Sequence, residues 1–197
     1  MHTREKAKVA LSGDGADEIF SGYNKHMAEF LARENGFKNK IVFAGRPLWK
    51  ILPKSRNSKI GNLNRQLLRF TEGIKKGNSQ RYWDWAGILE DNEADKLLKN
   101  TNPQQFQSNK KSILDQSLET NDFNGVLFQD VKQVLVSDML TKVDLNSMNN
   151  SLEIRVPFLD HNVVEFAFQI PEKFKIQKGI KKKFLDSKVL KKVNHIL

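Results

Sequence analysis

Apolar residues recur along most of this chain at helical spacing, and one short run departs from it. Val9-Ala10-Leu11 is continuous apolar sequence broken by Ser12-Gly13, so residues 8–12 read as a strand. Ile19, Phe20, Tyr23, Met27, Phe30 and Leu31 then predict a helix over 17–35, ended by Asn35-Gly36. Pro47 and Pro53 divide 41–60 into a short helix and a loop. Leu63, Leu67, Phe70 and Ile74 share the face of another helix, which Gly73 and Gly77 weaken near its end. A helix from near Ser79 carries Tyr82, Trp83, Trp85, Ile88 and Leu89. Short helices follow at 93–100 and 103–119, the second opened by the N-cap and first-turn pair Asn102-Pro103. Val126, Leu127, Val131, Val134, Leu135, Met139, Leu140 and Val143 mark a long periodic stretch over 123–149. After the run Leu152–His161, Asp160 or Asn162 is placed to cap a helix through Val163, Val164, Phe166 and Phe168, which Pro171 stops.

The fold class expected is mainly α with a single N-terminal strand. A buried parallel strand needs neighbours, and no later strand–helix–strand alternation supplies them. The expectation is therefore that its sheet lies in sequence outside this chain, leaving an apolar patch on one side of the helix after the strand. With no internal repeat and no low-complexity linker, the 197 residues read as one packed body.

The apolar share of 39% and charged share of 28% are those of a soluble globular protein. The net charge of +10 suits an anionic ligand: nucleotide, nucleic acid or membrane surface. The cations are spread along the chain with no tail of like charge and no base-reading motif, so a solvated basic surface is expected, with neither nucleic acid nor membrane as partner. The absence of cysteine excludes disulfides, thiolate zinc and a cysteine nucleophile within the chain. No apolar run approaches the roughly 18 residues of a membrane span. Nor does Met1–Lys6 lead into a signal-peptide core, which makes the cytoplasm the default compartment.

Three stretches carry candidate chemistry. Ser12-Gly13-Asp14-Gly15-Ala16-Asp17-Glu18 joins strand to helix, a geometry whose backbone N–H groups favour an anion. Its three acids repel phosphate unless Mg²⁺ bridges the two or one acid serves as a base; otherwise Asp14 or Asp17 simply caps the helix. It is neither an EF-hand, whose twelfth position would fall on Lys25, nor a Walker loop. Lys142, Asp144, Glu153, Arg155 and Asp160 sit beside apolar positions. They form either a structural network, Arg155 with Asp144 or Asp160, or the wall of a site. Lys178-Gly179-Ile180-Lys181-Lys182-Lys183 is either a solvated face or the source of a lysine reaching phosphate. His2, His26, His161 and His195 show no metal spacing.

In order, these stretches resemble the synthetase domain of glutamine-dependent asparagine synthetases. Leu11–Tyr23 is similar to the family's second ATP-site loop. Asp138–Asp144, Ser147-Met148 and Ser151–His161 resemble its most recognisable block. Pro171, Lys175 and Gly179–Leu185 match its closing segment. The resemblance implies the C-terminal part of an α/β adenine-nucleotide alpha-hydrolase-like (ATP pyrophosphatase) domain, with 1–197 a partial synthetase domain. It implies Mg-ATP, with aspartate attacking the α-phosphate to give β-aspartyl-AMP and ammonia then displacing AMP. The ammonia comes from glutamine hydrolysed in a separate glutaminase domain; a homodimer is expected for the full-length protein. Carried over by position, Ser12, Gly13 and Gly15 contact ATP or its pyrophosphate. Asp14, where many members carry glutamate, assists both chemical steps. Asp17 holds metal or orders the loop, and Lys182 neutralises the phosphate in the transition state. The family's first phosphate loop, Ser-Gly-Gly-x-Asp-Ser, does not occur here, so the chain alone is expected to be inactive. Asp186 and Leu145 stand where arginines are common in the family. A related carboxylate-adenylating amidotransferase, a β-lactam-type synthetase and a basic helical nucleic-acid-binding module are the alternative readings.

Overall fold

A computed structural model describes residues 2–34, 36–53, 57–87, 89, 91–97, 102–118, 122–177 and 179–185. The elements begin with α1 (His2–Lys6), β1 (Val9–Leu11), α2 (Ala16–Phe20), α3 (Asn24–Arg33), α4 (Phe37–Ala44), α5 (Arg46–Ile51) and α6 (Lys59–Gly73). There follow α7 (Asn78–Ala86), α8 (Asp91–Leu97), α9 (Pro103–Leu118) and α10 (Phe123–Asp130). A π-helical stretch, Val131–Leu140, carries α10 into α11 (Thr141–Asn149). β2 (Glu153–Arg155), a 3-10 turn (Pro157–Leu159), α12 (His161–Gln169) and α13 (Glu172–Lys175) complete the order. The chain is mainly helical, with Asp160 capping α12 by accepting the Asn162 N–H.

The expectation of a single strand is corrected. β1 pairs in parallel with β2, in the register Val9↔Glu153, Ala10↔Ile154, Leu11↔Arg155. Glu153-Ile154-Arg155 has only one apolar residue, too short an alternation to register as a strand. A neighbour of β1 thus lies within the chain, reached by a crossover through the intervening helices. The apolar exposure is also placed differently from expectation. Ala16, Ile19 and Phe20 of α2 are buried, whereas Leu11 on β1 is 74% exposed. Leu145 and Met148 lie open on α11, which buries no side chain.

A second correction concerns the helix expected over 17–35. Ser21 takes a left-handed conformation (φ 65°, ψ 53°) and ends α2, and α3 starts afresh at Asn24. The apolar period survives because α2 and α3 feed different parts of the core. Ile19 and Phe20 pack with Ala167 and Ile170 of the α12 segment, against Phe158 and Phe184. Met27 and Phe30 pack on a second cluster of Tyr82, Phe123, Val126, Leu127 and Ile176. Each fully buried aliphatic or aromatic side chain contributes roughly 1.5–3 kcal/mol.

Candidate functional site

The parallel ladder fixes the start of the candidate turn. Beyond β1 the Ser12 N–H donates to the Arg155 carbonyl at 2.9 Å, and the Glu153 N–H donates to the Lys8 carbonyl at 3.0 Å. The chain then turns through Gly15, at φ 88°. A Cβ there would fall 2.2 Å from Cδ2 of Leu159, so glycine is required by backbone conformation and by contact alike. A Cβ on Gly13 would meet nothing within 4 Å, leaving the middle of the turn open.

The three acids of the turn face three different ways. Asp14 accepts the Ser12 hydroxyl at 2.5 Å through Oδ2. Glu18 turns inward, is buried, and accepts the Tyr23 hydroxyl at 2.8 Å. Burial raises the Glu18 pKa, against the lowering effect of that hydrogen bond. Burial, then the hydrogen bond and charge of Glu18, push the Tyr23 phenol up, so it remains a donor. Asp17 meets Lys182: Nζ lies 2.7 Å from Oδ1, and both side chains are about one-third exposed. The pair occupies space that only glycine leaves free, since a Cβ on Gly22 would lie 1.5 Å from Asp17 Oδ1 and 2.4 Å from Lys182 Cε.

Lys182 is held from both sides. A short antiparallel bridge, Gln177↔Ile180, closes the preceding bend. Lys181 Nζ donates to Asn24 Oδ1 at 2.6 Å, and the Lys183 N–H donates to the Lys175 carbonyl at 3.0 Å. Lys182 itself has φ 49°. Lys175, one element earlier, is fully buried, and its ammonium donates to Asn124 Oδ1 at 2.6 Å. Burial lowers its pKa to about 8.

Ser12, Gly13, Asp14, Gly15, Asp17 and Lys182 therefore converge on one turn. With α2 only five residues long, Lys182 is the main fixed positive charge beside it. For a nucleotide phosphate, the open turn at Gly13 and the ammonium of Lys182 are suitable partners. A magnesium ion finds no cluster of three acidic or histidine ligands among the described residues. Asp17, part-exposed and 2.7 Å from Lys182, offers one carboxylate at the turn.

The second candidate stretch behaves differently from expectation. Arg155 Nε pairs with Glu153 Oε1 at 2.7 Å, in place of Asp144 or Asp160, and both partners are exposed. Lys142 and Asp144 are exposed as well. No buried ion-pair network forms there; the stretch lies open beside β1. Lys178, Asp186 and His195 fall outside the described residues.

A buried group behind the turn was not singled out from sequence. His26 Nδ1 accepts the Tyr23 N–H at 3.3 Å, and Nε2 lies 3.1 Å from Asp130 Oδ2, where it donates as the neutral tautomer. Lys25 pairs with the other oxygen of Asp130. Burial lowers the His26 pKa, opposed by Asp130. Burial would raise that of Asp130, but His26 and Lys25 together bring it below its ordinary value. The available signal was an acid, Asp130, inside an apolar periodic stretch, which requires a buried partner.

The asparagine synthase family model matches residues 1–192. The chain belongs to the asparagine synthase family. It is therefore a member of a ligase family. Over 188 residues it is 31% identical to asparagine synthetase [glutamine-hydrolyzing] 1 of Bacillus subtilis, covering 92% of this chain and 28% of that protein. It is 27% identical over 180 residues to a putative asparagine synthetase [glutamine-hydrolyzing] of Mycobacterium bovis, covering 88% of this chain and 26% of the relative. Asparagine synthetase [glutamine-hydrolyzing] 3 of Bacillus subtilis is 42% identical over 55 residues, 26% of this chain and 9% of that protein. The chain thus spans little more than a quarter of the first of these relatives. No solved structure matches it significantly.

Proposed function

We propose that this chain forms one wall of the site at which ATP activates aspartate for conversion to asparagine. The observation that carries the reading is the Asp17–Lys182 pair, which sets a lysine against an open strand-to-helix turn. In the proposed reaction an oxygen of the aspartate side-chain carboxylate bonds to the α-phosphorus, and the bond to the bridging oxygen breaks. Pyrophosphate leaves, and β-aspartyl-AMP remains. Ammonia then attacks the acyl carbon, AMP departs, and the nitrogen gives up a proton. Asp17 would hold a magnesium ion, which would supply charge to offset that of the phosphates.

Ser12 and the backbone of Gly13–Gly15 bind the phosphates in this reading. Lys182 leaves Asp17 for the phosphate, where negative charge grows in the transition state and a fixed cation is worth most. Asp14, steadied by Ser12, is the acid that assists adenylation and the ammonia step. The fold proposed for the complete domain is the ATP pyrophosphatase type, with residues 1–197 a partial synthetase domain. The facing phosphate loop and a glutaminase that supplies ammonia would be contributed by sequence beyond these residues. Such an enzyme works in the cytoplasm, as a homodimer when complete; the chain alone is inactive.

The test is aspartate-dependent exchange of labelled pyrophosphate into ATP, measured on a complete synthetase carrying this sequence. Asp14→Ala and Lys182→Ala should each abolish exchange. Wild-type exchange in both would remove the assignment, while exchange that depends on another carboxylate would favour a related adenylating amidotransferase.

A further inference from the structure

Gly22 and Tyr23 lead from the end of α2 to Asn24, the first residue of α3, and this short loop meets the lysine segment twice. Gly22 lies against both members of the Asp17–Lys182 pair, since a Cβ there would fall 1.5 Å from Asp17 Oδ1 and 2.4 Å from Lys182 Cε. Asn24 Oδ1 accepts the Lys181 ammonium at 2.6 Å. Between these two contacts, Tyr23 carries the bonds that fix the loop. Its hydroxyl donates to buried Glu18 at 2.8 Å, and its backbone N–H donates to His26 Nδ1 at 3.3 Å. In a capping box the third residue of a helix accepts the N-cap N–H through a Glu or Gln side chain. Here the acceptor is a buried imidazole that is tied to another helix. His26 Nε2 donates to Asp130 Oδ2 on α10 at 3.1 Å, and Lys25 pairs with Oδ1 of the same carboxylate. Tyr82 stacks on the imidazole with centroids 5.9 Å apart, and Phe123 meets it edge-on at 6.4 Å. A ring confined in this way presents Nδ1 in one direction, toward the Tyr23 N–H.

We propose that His26 is a positioning residue for Lys182. It sets the Tyr23 backbone, and through it the places of Gly22 and Asn24, against which Lys182 and Lys181 lie. A functional group must be held to within about 0.5 Å by the packing and hydrogen bonds around it. The lysine stem bends, so that precision comes from the backbone that carries Lys182 and from the loop beside it. Asp130, buried on α10, is the fixed end of the chain of contacts, and Gly22 is the end that touches the ammonium-bearing side chain. The inference rests on the adenylation reading, because it names what holds the lysine which that reading assigns to phosphate.

The experiment is the affinity for magnesium pyrophosphate, measured by calorimetry on a complete synthetase carrying this sequence, with circular dichroism to show that each variant is folded. Asparagine at position 26 places an oxygen where Nδ1 was, whereas glutamine reaches Asp130 but leaves the Tyr23 N–H without its acceptor. His26→Gln should therefore weaken binding about tenfold, and His26→Asn should restore most of the loss. Adding His26→Gln to Lys182→Ala should weaken binding no further, because the positioned group is gone. Asn24 is exposed, so Asn24→Ala keeps the fold, and it should weaken binding about fivefold by freeing Lys181. Wild-type affinity in His26→Gln or in Asn24→Ala overturns the proposal. Equal losses in His26→Gln and His26→Asn, or the same loss again on the Lys182→Ala background, also overturn it, since His26 would then act on folding alone. Wild-type affinity in Lys182→Ala removes the adenylation reading and this proposal with it. Loss in Lys182→Ala beside wild-type affinity in His26→Gln removes this proposal alone.

Discussion

Gly15 and Gly22 both sit at the candidate site, yet replacing them with alanine should have opposite consequences. At Gly15 the backbone has φ 88°, and the new Cβ would lie 2.2 Å from Cδ2 and 2.7 Å from Cγ of Leu159. The left-handed conformation costs alanine about 1–2 kcal/mol. Forcing a methyl into packed Leu159 adds about 1–3 kcal/mol. Reduced freedom of the unfolded chain returns about 0.4–1 kcal/mol. The net loss is about 3 kcal/mol, or roughly 6–12 °C in melting temperature for a chain of this size.

At Gly22 the backbone is not left-handed, and the methyl would strike Asp17 Oδ1 and Lys182 Cε, which are ends of mobile side chains. They can rotate away. The pair they form is part-exposed and is worth about 0–1 kcal/mol, close to the unfolded-state gain. Melting should move by no more than about 2 °C. Lys182 and Asp17 would nevertheless be displaced from their places beside the turn. Magnesium-pyrophosphate affinity, measured by calorimetry on a complete synthetase, should fall roughly tenfold to a hundredfold, as for a lost hydrogen bond to charge. Equal melting of the two variants, or wild-type affinity in Gly22→Ala, would refute the reasoning.

Other variants test the interior. Glu29 is fully buried and accepts both Arg81 Nε at 2.7 Å and Nη2 at 2.6 Å. Glu29→Ala should cost about 3–5 kcal/mol in urea unfolding, because it strands the buried guanidinium; Glu29→Leu with Arg81→Met should recover most of that loss. His26 has its folded pKa lowered, so below pH 6.5 the unfolded chain binds more protons than the folded one. Its contribution is complete above pH 6.5 and falls as pH drops towards the folded value, by up to about 1.4 kcal/mol per pH unit. Stability measured from pH 8 to 5.5 should show this slope relative to His26→Gln. Lys175 has its folded pKa lowered to about 8, so between about pH 8 and the ordinary lysine value of 10.5 the unfolded chain again holds more protons. Stability should gain a rising component across that window, and Lys175→Met should remove it.

The helices were legible wherever a period ran for several turns, as in α6, α7, α12 and the long stretch beginning at Phe123. Two features escaped because they are shorter than any period. β2 contributes three residues to a ladder, and its pairing depends on distant β1. The break at Ser21–Tyr23 lies inside an intact apolar pattern, which persists because two helices serve two clusters. Site residues were legible by resemblance, since nothing in their spacing brings Lys182 to Asp17. The buried Tyr23–His26–Asp130 group was hidden for a different reason: histidine on a helix face resembles a surface residue until its partner's burial is known.

The break after Phe20 connects these findings. With five residues, α2 has little dipole to offer an anion. The observed chain ends that helix after five residues and uses Gly22 to admit a lysine from the far end of the sequence. A weak, fixed dipole is thereby replaced by a full charge on a movable stem. Asp17 holds that charge at 2.7 Å, and the pair is exposed enough to exchange partners at little cost. Glu18, one residue on, is kept out of the exchange by burial and by the Tyr23 hydroxyl. In the proposed reading a turn carrying three acids receives a phosphate when Asp17 releases Lys182 and Asp14 releases the Ser12 hydroxyl.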